Sequence, residues 1–347
     1  LADRDAPDGL RALRAAAGRK LLIAIGFRVL AMLATGLLWV SRPTLAAVDA
    51  GESAIAEIEV TGERAGPRLW RVSNGEHVVW LLGTLDPLPK QMVWRSHELE
   101  SVLDEVKQVV PSRPDVDLDA GPITLLRTWL QWRRVQKLPD NATLQTWLSP
   151  ALYSRWSAMK ARYQMRDKDI DRQQPILAAL NLYRRAMDVS KLGTGTGIEK
   201  SVLKLARQHK VRIAQTSLKV TDPRGLVTEL GEIPKAAQLA CLDAVLAKLE
   251  KDVDTLKAQA NAWALGDVTT LRSLPYPREI EECQSTLENS GDMKQLIAET
   301  NRGWNAAVEN ALTRGPPTLA IAPIYELLKP EGTLARLAAR GYRVEGP

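Results

Sequence analysis

The chain has 347 residues and a mass of 38.3 kDa, enough to bury a sizeable core as about two domains or one large one. At 45% apolar and 25% charged residues it is neither disordered throughout nor collagen-like, and one long apolar run excludes a multi-pass membrane protein. Half of the formal charge of +6 lies in the first 50 residues; the remainder carries 40 basic and 37 acidic side chains, too even a balance to argue for nucleic acid.

Residues 1–20 are polar and basic and lead into Leu21–Val40, which is apolar except for Arg28. Small residues follow, from Thr44 to Ala50. A charged start, a short apolar core (here Val29–Val40) and an A-x-A-like site predict a signal peptide over residues 1–50. The other reading is an uncleaved anchor that uses all of Leu21–Val40, the one case in which a membrane contact is expected. Either way the body is exported, periplasmic or secreted. Residues 51–66 are a charged, Gly-containing linker.

Leu69–Val72 and His77–Leu82 are two β-type runs around Asn74-Gly75, which predicts a hairpin. Ser96–Val106 reads as a helix with Ser96 as N-cap, Lys107–Val110 as a short strand, and 113–122 as a Pro/Asp/Gly loop. A helical insert is predicted over about 124–190 and another over 234–312. Between them Gly193–Gly197 leads into helix Ile198–His209 and strand Val211–Ala214. The end reads strand Thr318–Ala322, helix Glu331–Arg340, strand Tyr342–Glu345. This order implies an α/β (mixed α+β) fold, one sheet carrying a mostly helical block.

Most chemical motifs are missing. His77, His97 and His209 have no ligand spacing, and there is neither C-x-x-C nor G-x-S-x-G. In Gly193–Ser201 the residue before Lys200 is Glu199, which would repel phosphate where a P-loop needs Gly. Asp115, Asp117 and Asp119 lack the Gly and distal Glu of a calcium loop and read as a solvated acidic loop. Trp129 and Trp132, beside Arg133 and Arg134, read as core with snorkelling arginines rather than a sugar platform. Cys241 lies on an amphipathic helix and Cys283 follows the turn Leu274-Pro275-Tyr276-Pro277; two helices packed antiparallel about that turn would bring them together as a disulfide.

Pro67–Val72, then Val79-Trp80-Leu81-Leu82-Gly83-Thr84-Leu85 and Trp94–Leu99, closely resemble the opening of TraB/GumN proteins. Gly197-Ile198-Glu199 with Leu203 and Ala206 resembles that family's middle segment, Asn301–Trp304 its late Arg-Asn segment, and Thr318–Val344 its closing strand-helix-strand. The resemblance makes 67–347 one domain related to Tiki-type and ChaN-like proteins and to erythromycin esterases. It implies a central mixed β-sheet of two similar halves with a large helical insertion. It also implies two G-x-x-H motifs at strand ends, whose histidines and nearby acids form a metal-dependent hydrolytic centre. Here the first reads Gly83-Thr84-Leu85-Asp86, the second aligns with Ala322-Pro323-Ile324-Tyr325, and the position of a further acid falls around Pro111-Ser112, with no carboxylate. The Arg of the Arg-Asn pair falls on Thr300, ahead of Asn301, and Glu199 alone keeps an acid in place. The motif-equivalent candidates are thus Gly83, Asp86, Glu199, Asn301 and Tyr325, and the loss of both imidazoles removes the borderline-metal ligands. Two functions compete. One is a catalytically degenerate protein, with no cofactor, that binds a protein partner or an envelope polysaccharide. The other is a divergent hydrolase (peptidase or esterase-like), with manganese, cobalt or zinc in a centre rebuilt around Asp86, Glu199 and Tyr325.

Overall fold

The computed structural model describes residues 66–90, 97–193, 197–215, 217–251, 253–273, 283, 285–286 and 291–347. The leader, the linker up to residue 65 and the Ser96 cap lie outside the described residues. Strands β1 (Leu69–Asn74) and β2 (His77–Thr84) form the predicted antiparallel hairpin. Asn74 pairs with His77, so the loop is Gly75-Glu76, one residue later than predicted. Gly75 takes its first position at φ 58°, where a side chain would be strained.

The chain continues through β3 (Leu88–Pro89), α1 (His97–Glu105), β4 (Gln108–Val110) and β5 (Asp115–Leu118). Helices α2 (Pro122–Val135), α3 (Leu144–Trp147), α4 (Pro150–Arg162) and α5 (Pro175–Val189) follow. Then come β6 (Leu192–Gly193), α6 (Gly197–Gln208), β7 (Arg212–Ile213) and β8 (Ser217–Val220). A second helical run holds α7 (Pro223–Glu232), α8 (Lys235–Lys251), α9 (Val253–Leu265), α10 (Val268–Ser273) and α11 (Gly291–Thr313). Strand β9 (Thr318–Pro323), α12 (Ile324–Leu328), α13 (Thr333–Ala339) and β10 (Arg343–Glu345) close the fold. Proline at the first helical position starts α2, α4, α5 and α7, where its missing N–H costs nothing. Ser149 caps α4, accepting from the Leu152 amide, and Asp222 caps α7, accepting from the Arg224 and Gly225 amides.

Six strands form a mixed sheet in the order β10-β1-β2-β9-β4-β7. Pairing is antiparallel from β10 to β2 and parallel from β2 through β9 and β4 to β7. Strand β9 sits between β2 and β4, and its first five residues are all buried, as its continuous apolar run requires. Alternation along the strands divides the core. Leu69, Leu82, Val109, Leu319 and Ile321 face α1 and α6, packing on Leu99, Leu103, Val202 and Ala206. Trp70, Val72, Leu81, Val110, Ala320 and Ala322 face the other way, onto Trp263, Val308, Leu312 and Leu327. The helical block has a third core of its own around Trp156, Ile176, Leu182, Leu242 and Leu246.

Three expectations change. Residues 113–122 are not a loop throughout: Asp115–Leu118 pairs in parallel with β8, and the Lys219 ammonium lies 2.7 Å from the Asp119 carboxylate. The cross-strand ladder supplies what low β-propensity does not. Trp129 and Trp132 are half-buried rather than core, because α2 is covered along one side only, where Leu125 and Thr128 face α7. The cysteines do meet, with sulfurs 2.01 Å and Cα atoms 4.6 Å apart. Their connection is not a simple helical hairpin, since α9 and α10 intervene between α8 and the Pro-rich turn, and that turn lies outside the described residues.

Candidate functional site

The two strand ends that the sequence singles out are neighbours. Gly83 pairs with Ala322 and Thr84 with Pro323, so the chain leaves β2 and β9 side by side at the C-terminal edge of the parallel strands. Open α/β sheets bind ligands at such an edge. Gly83 is needed for packing: a Cβ there would stand 2.9 Å from Ile324 Cγ1. Its carbonyl accepts a 2.8 Å bond from the buried Trp263 indole. Beyond it Leu85 is buried, Asp86 is exposed, and the Asp86–Pro87 peptide is cis.

Tyr325 opens the first turn of α12, and its hydroxyl donates to Gln259 Oε1 of α9 at 3.4 Å. Asp86 and Tyr325 both bear on Tyr183 of α5. Burial pushes the Tyr183 phenol well above the usual tyrosine range, and the Asp86 and Tyr325 charges raise it further. The helical insert thus lends a neutral phenol to the strand ends. Nothing in the sequence marked Tyr183 or Gln259.

Glu199 occupies a different corner. It is buried in the first turn of α6, and among the described residues its two carboxylate oxygens accept from one residue. The Ser112 amide donates to Oε1 at 3.0 Å and the Ser112 hydroxyl to Oε2 at 2.5 Å. Ser112 follows β4, at the position where the resemblance expects a second acid. A hydroxyl there turns the surviving acid into a tie between the β4 loop and α6. From sequence Ser112 is only a missing carboxylate; a short donor opposite a lone acid is the signal that marks it.

Asn301 lies on α11, in the wall of a cleft of about 290 Å³ beside Ser112 and the end of β9. Trp304, Asn305, Glu326, Lys329, Thr333 and Arg336 also line it. The Trp304 indole donates to the Ile321 carbonyl at 3.0 Å, and Lys329 pairs with Glu326 at 2.7 Å. Arg336 donates to the Glu331 carbonyl at 2.9 Å and to Thr333 Oγ1 at 3.1 Å, which holds the guanidinium without a carboxylate among the described residues. The candidates therefore form two groups, Asp86 with Tyr325 and Tyr183, and Glu199 with Ser112 and the cleft of Asn301.

The family model for TraB/PrgY/gumN proteins matches residues 68–346, most of the chain. The chain belongs to the TraB/PrgY/gumN family. No curated protein and no solved structure matches it. In this TraB/PrgY/gumN chain the three histidines lie apart. His77 Nδ1 is 3.1 Å from the Gly315 carbonyl, His209 Nδ1 is 2.7 Å from Asp104, and His97 begins α1. A borderline divalent metal needs imidazoles or several convergent carboxylates. Among the described residues no group of three or more His, Cys, Asp or Glu side chains is gathered to hold one. An exposed aspartate, a phenol on an amide and a glutamate tied twice to one serine do not fit such a metal. What the site offers chemically is hydrogen bonding to hydroxyls, and cationic groups for anions.

Proposed function

We propose that this TraB/PrgY/gumN protein works outside the cytoplasm, in an oxidising compartment, by binding rather than by metal-dependent hydrolysis. Its ligand is an envelope polymer, a polysaccharide, held in the cleft of Asn301, Asn305, Lys329 and Arg336. The observation that carries this reading is the fate of Glu199: the one acid left at its motif position is engaged on both oxygens by Ser112 and serves as a structural tie. The position of the cleft supports it, because it opens beside that tie at the ligand-binding edge of the sheet. So does the resemblance to GumN-type proteins, which are associated with gum production. A paired Cys241 and Cys283 suits an exported body, as does the signal-like leader.

The test is affinity electrophoresis of the purified protein through gels containing envelope polysaccharide. Retardation is expected, with Arg336→Glu and Asn301→Ala each weakening binding about tenfold, the loss of one or two good hydrogen bonds. A parallel titration with manganese, cobalt and zinc should give no stoichiometric site. Metal-dependent turnover of an ester or peptide, abolished by Asp86→Ala, would overturn the reading in favour of a hydrolase.

A further inference from the structure

Helix α2 departs from the pattern of the other helices. Its sequence, PITLLRTWLQWRRV, has three arginines and no acid. One side is anchored: Leu125 and Thr128 are buried, the Gln131 amide donates to Thr228 at 2.7 Å, and Val135 packs against Gly231 of α7. The opposite side is apolar and open. Ile123 is 68% exposed, Leu126 56% and Leu130 45%, and Val116 of the preceding strand is 48% exposed. Those four are most of the large hydrophobic side chains left exposed among the described residues; the other two, Val189 and Leu265, stand apart on α5 and α9.

At roughly 100° per residue, Ile123, Leu126 and Leu130 share an arc of about 60° pointing away from α7. Arg127 and Arg134 flank that strip on one edge and Arg133 on the other, all exposed, with Arg133 stacked 5.1 Å over the half-buried Trp129. An apolar ridge between cationic edges, with a tryptophan alongside, is the arrangement of a helix lying in a membrane interface. Charge chooses the occupant. A second copy meeting this face about a two-fold axis would set arginine against arginine, whereas anionic headgroups complement both edges. Among the described residues the α2 arginines form no ion pair with Asp115, Asp117 or Asp119 of the preceding strand and loop, and Asp119 is paired with Lys219.

We infer that α2 is a membrane-surface docking helix, which lays Ile123, Leu126 and Leu130 into the interface of an anionic lipid bilayer. The contact is peripheral, and it is separate from the cleft and from the apolar run of the leader.

The experiment is hydrogen exchange on the full chain with and without vesicles, because it reads α2 separately from the leader. Vesicles with about a third phosphatidylglycerol should slow exchange across 122–135 several-fold, and pure phosphatidylcholine should do so far less. Arg127→Glu with Arg134→Glu should lower partitioning to the anionic vesicles by more than tenfold, since each cation near the surface contributes about fivefold. Ile123→Ser with Leu130→Ser should abolish the local protection while the thermal melt stays unchanged, as both positions are exposed. Equal protection on both vesicle types, or none, overturns the inference. Protection that grows with protein concentration in the absence of lipid overturns it too, and assigns the face to a second copy.

Discussion

Glu199 and Tyr183 show how single side chains around the strand ends have been put to structural use. A buried carboxylate that accepts from an amide and a hydroxyl leaves two donors stranded when it is removed. Glu199→Ala is therefore expected to lower stability by about 1–3 kcal/mol in a chemical melt, with Ser112→Ala costing less because the amide still donates. A catalytic acid would behave in the opposite way, its removal leaving stability unchanged or improved. Tyr183 contributes to the loss of stability in alkali. Its pKa in the folded chain lies above the value near 10 of an unfolded tyrosine, through burial first and then the charges of Asp86 and Tyr325. The folded state thus holds its phenolic proton longer than the unfolded state. The stabilisation is fully present below about pH 10 and is lost as pH rises beyond it. Melting temperatures followed from pH 9 to 12 should fall less steeply for Tyr183→Phe than for the wild type.

Among the elements, the disulfide is the strongest single constraint on the helical block. It joins α8 to a residue 42 positions on and lies in the same core as Trp156, Ile176 and Leu246. Chain entropy for a loop of that length gives about 4 kcal/mol, so Cys241→Ser with Cys283→Ser should markedly lower the urea midpoint, and dithiothreitol should do the same to the wild type. How far the elements could be read from sequence follows from how local their signals are. Asn74-Gly75 between β-type runs and the apolar Thr318–Ala322 announced β1, β2 and β9 from their own residues. Asp115–Leu118 and Ser217–Val220 did not, because neither is a convincing strand until the other lies beside it. The short α12 is not foreseen either, since the reading runs from strand Thr318–Ala322 to a helix at Glu331 and assigns nothing between them. At the candidate site Asp86, Glu199 and Tyr325 were found through the resemblance. Their partners Ser112, Tyr183 and Gln259 were not, being remote in sequence and ordinary in type.

Among the described residues no helix is long and apolar enough to cross a membrane. The proposed export rests on Leu21–Val40, which lies outside them. N-terminal sequencing of the protein recovered from the cell envelope is expected to begin between Ala47 and Gly51. A start upstream of Leu21 would show that the run is kept as an anchor.

The position of β9 fixes the order in which the fold can be completed. The hairpin β1-β2 and the pair β4-β7 share no edge; each reaches the other only through β9, and β10 then covers β1. A polypeptide emerging from its N-terminus has nearly all of its residues outside the ribosome before residue 318 arrives to join the two parts. Until then the inner edges of both strand pairs are unsatisfied, and the core they share through α1 and α6 lacks Leu319 and Ile321, a state that a translocation channel accepting only unfolded chains can still thread. A chain cut after Arg314 should accordingly stay protease-sensitive, even though it keeps every residue of the helical block.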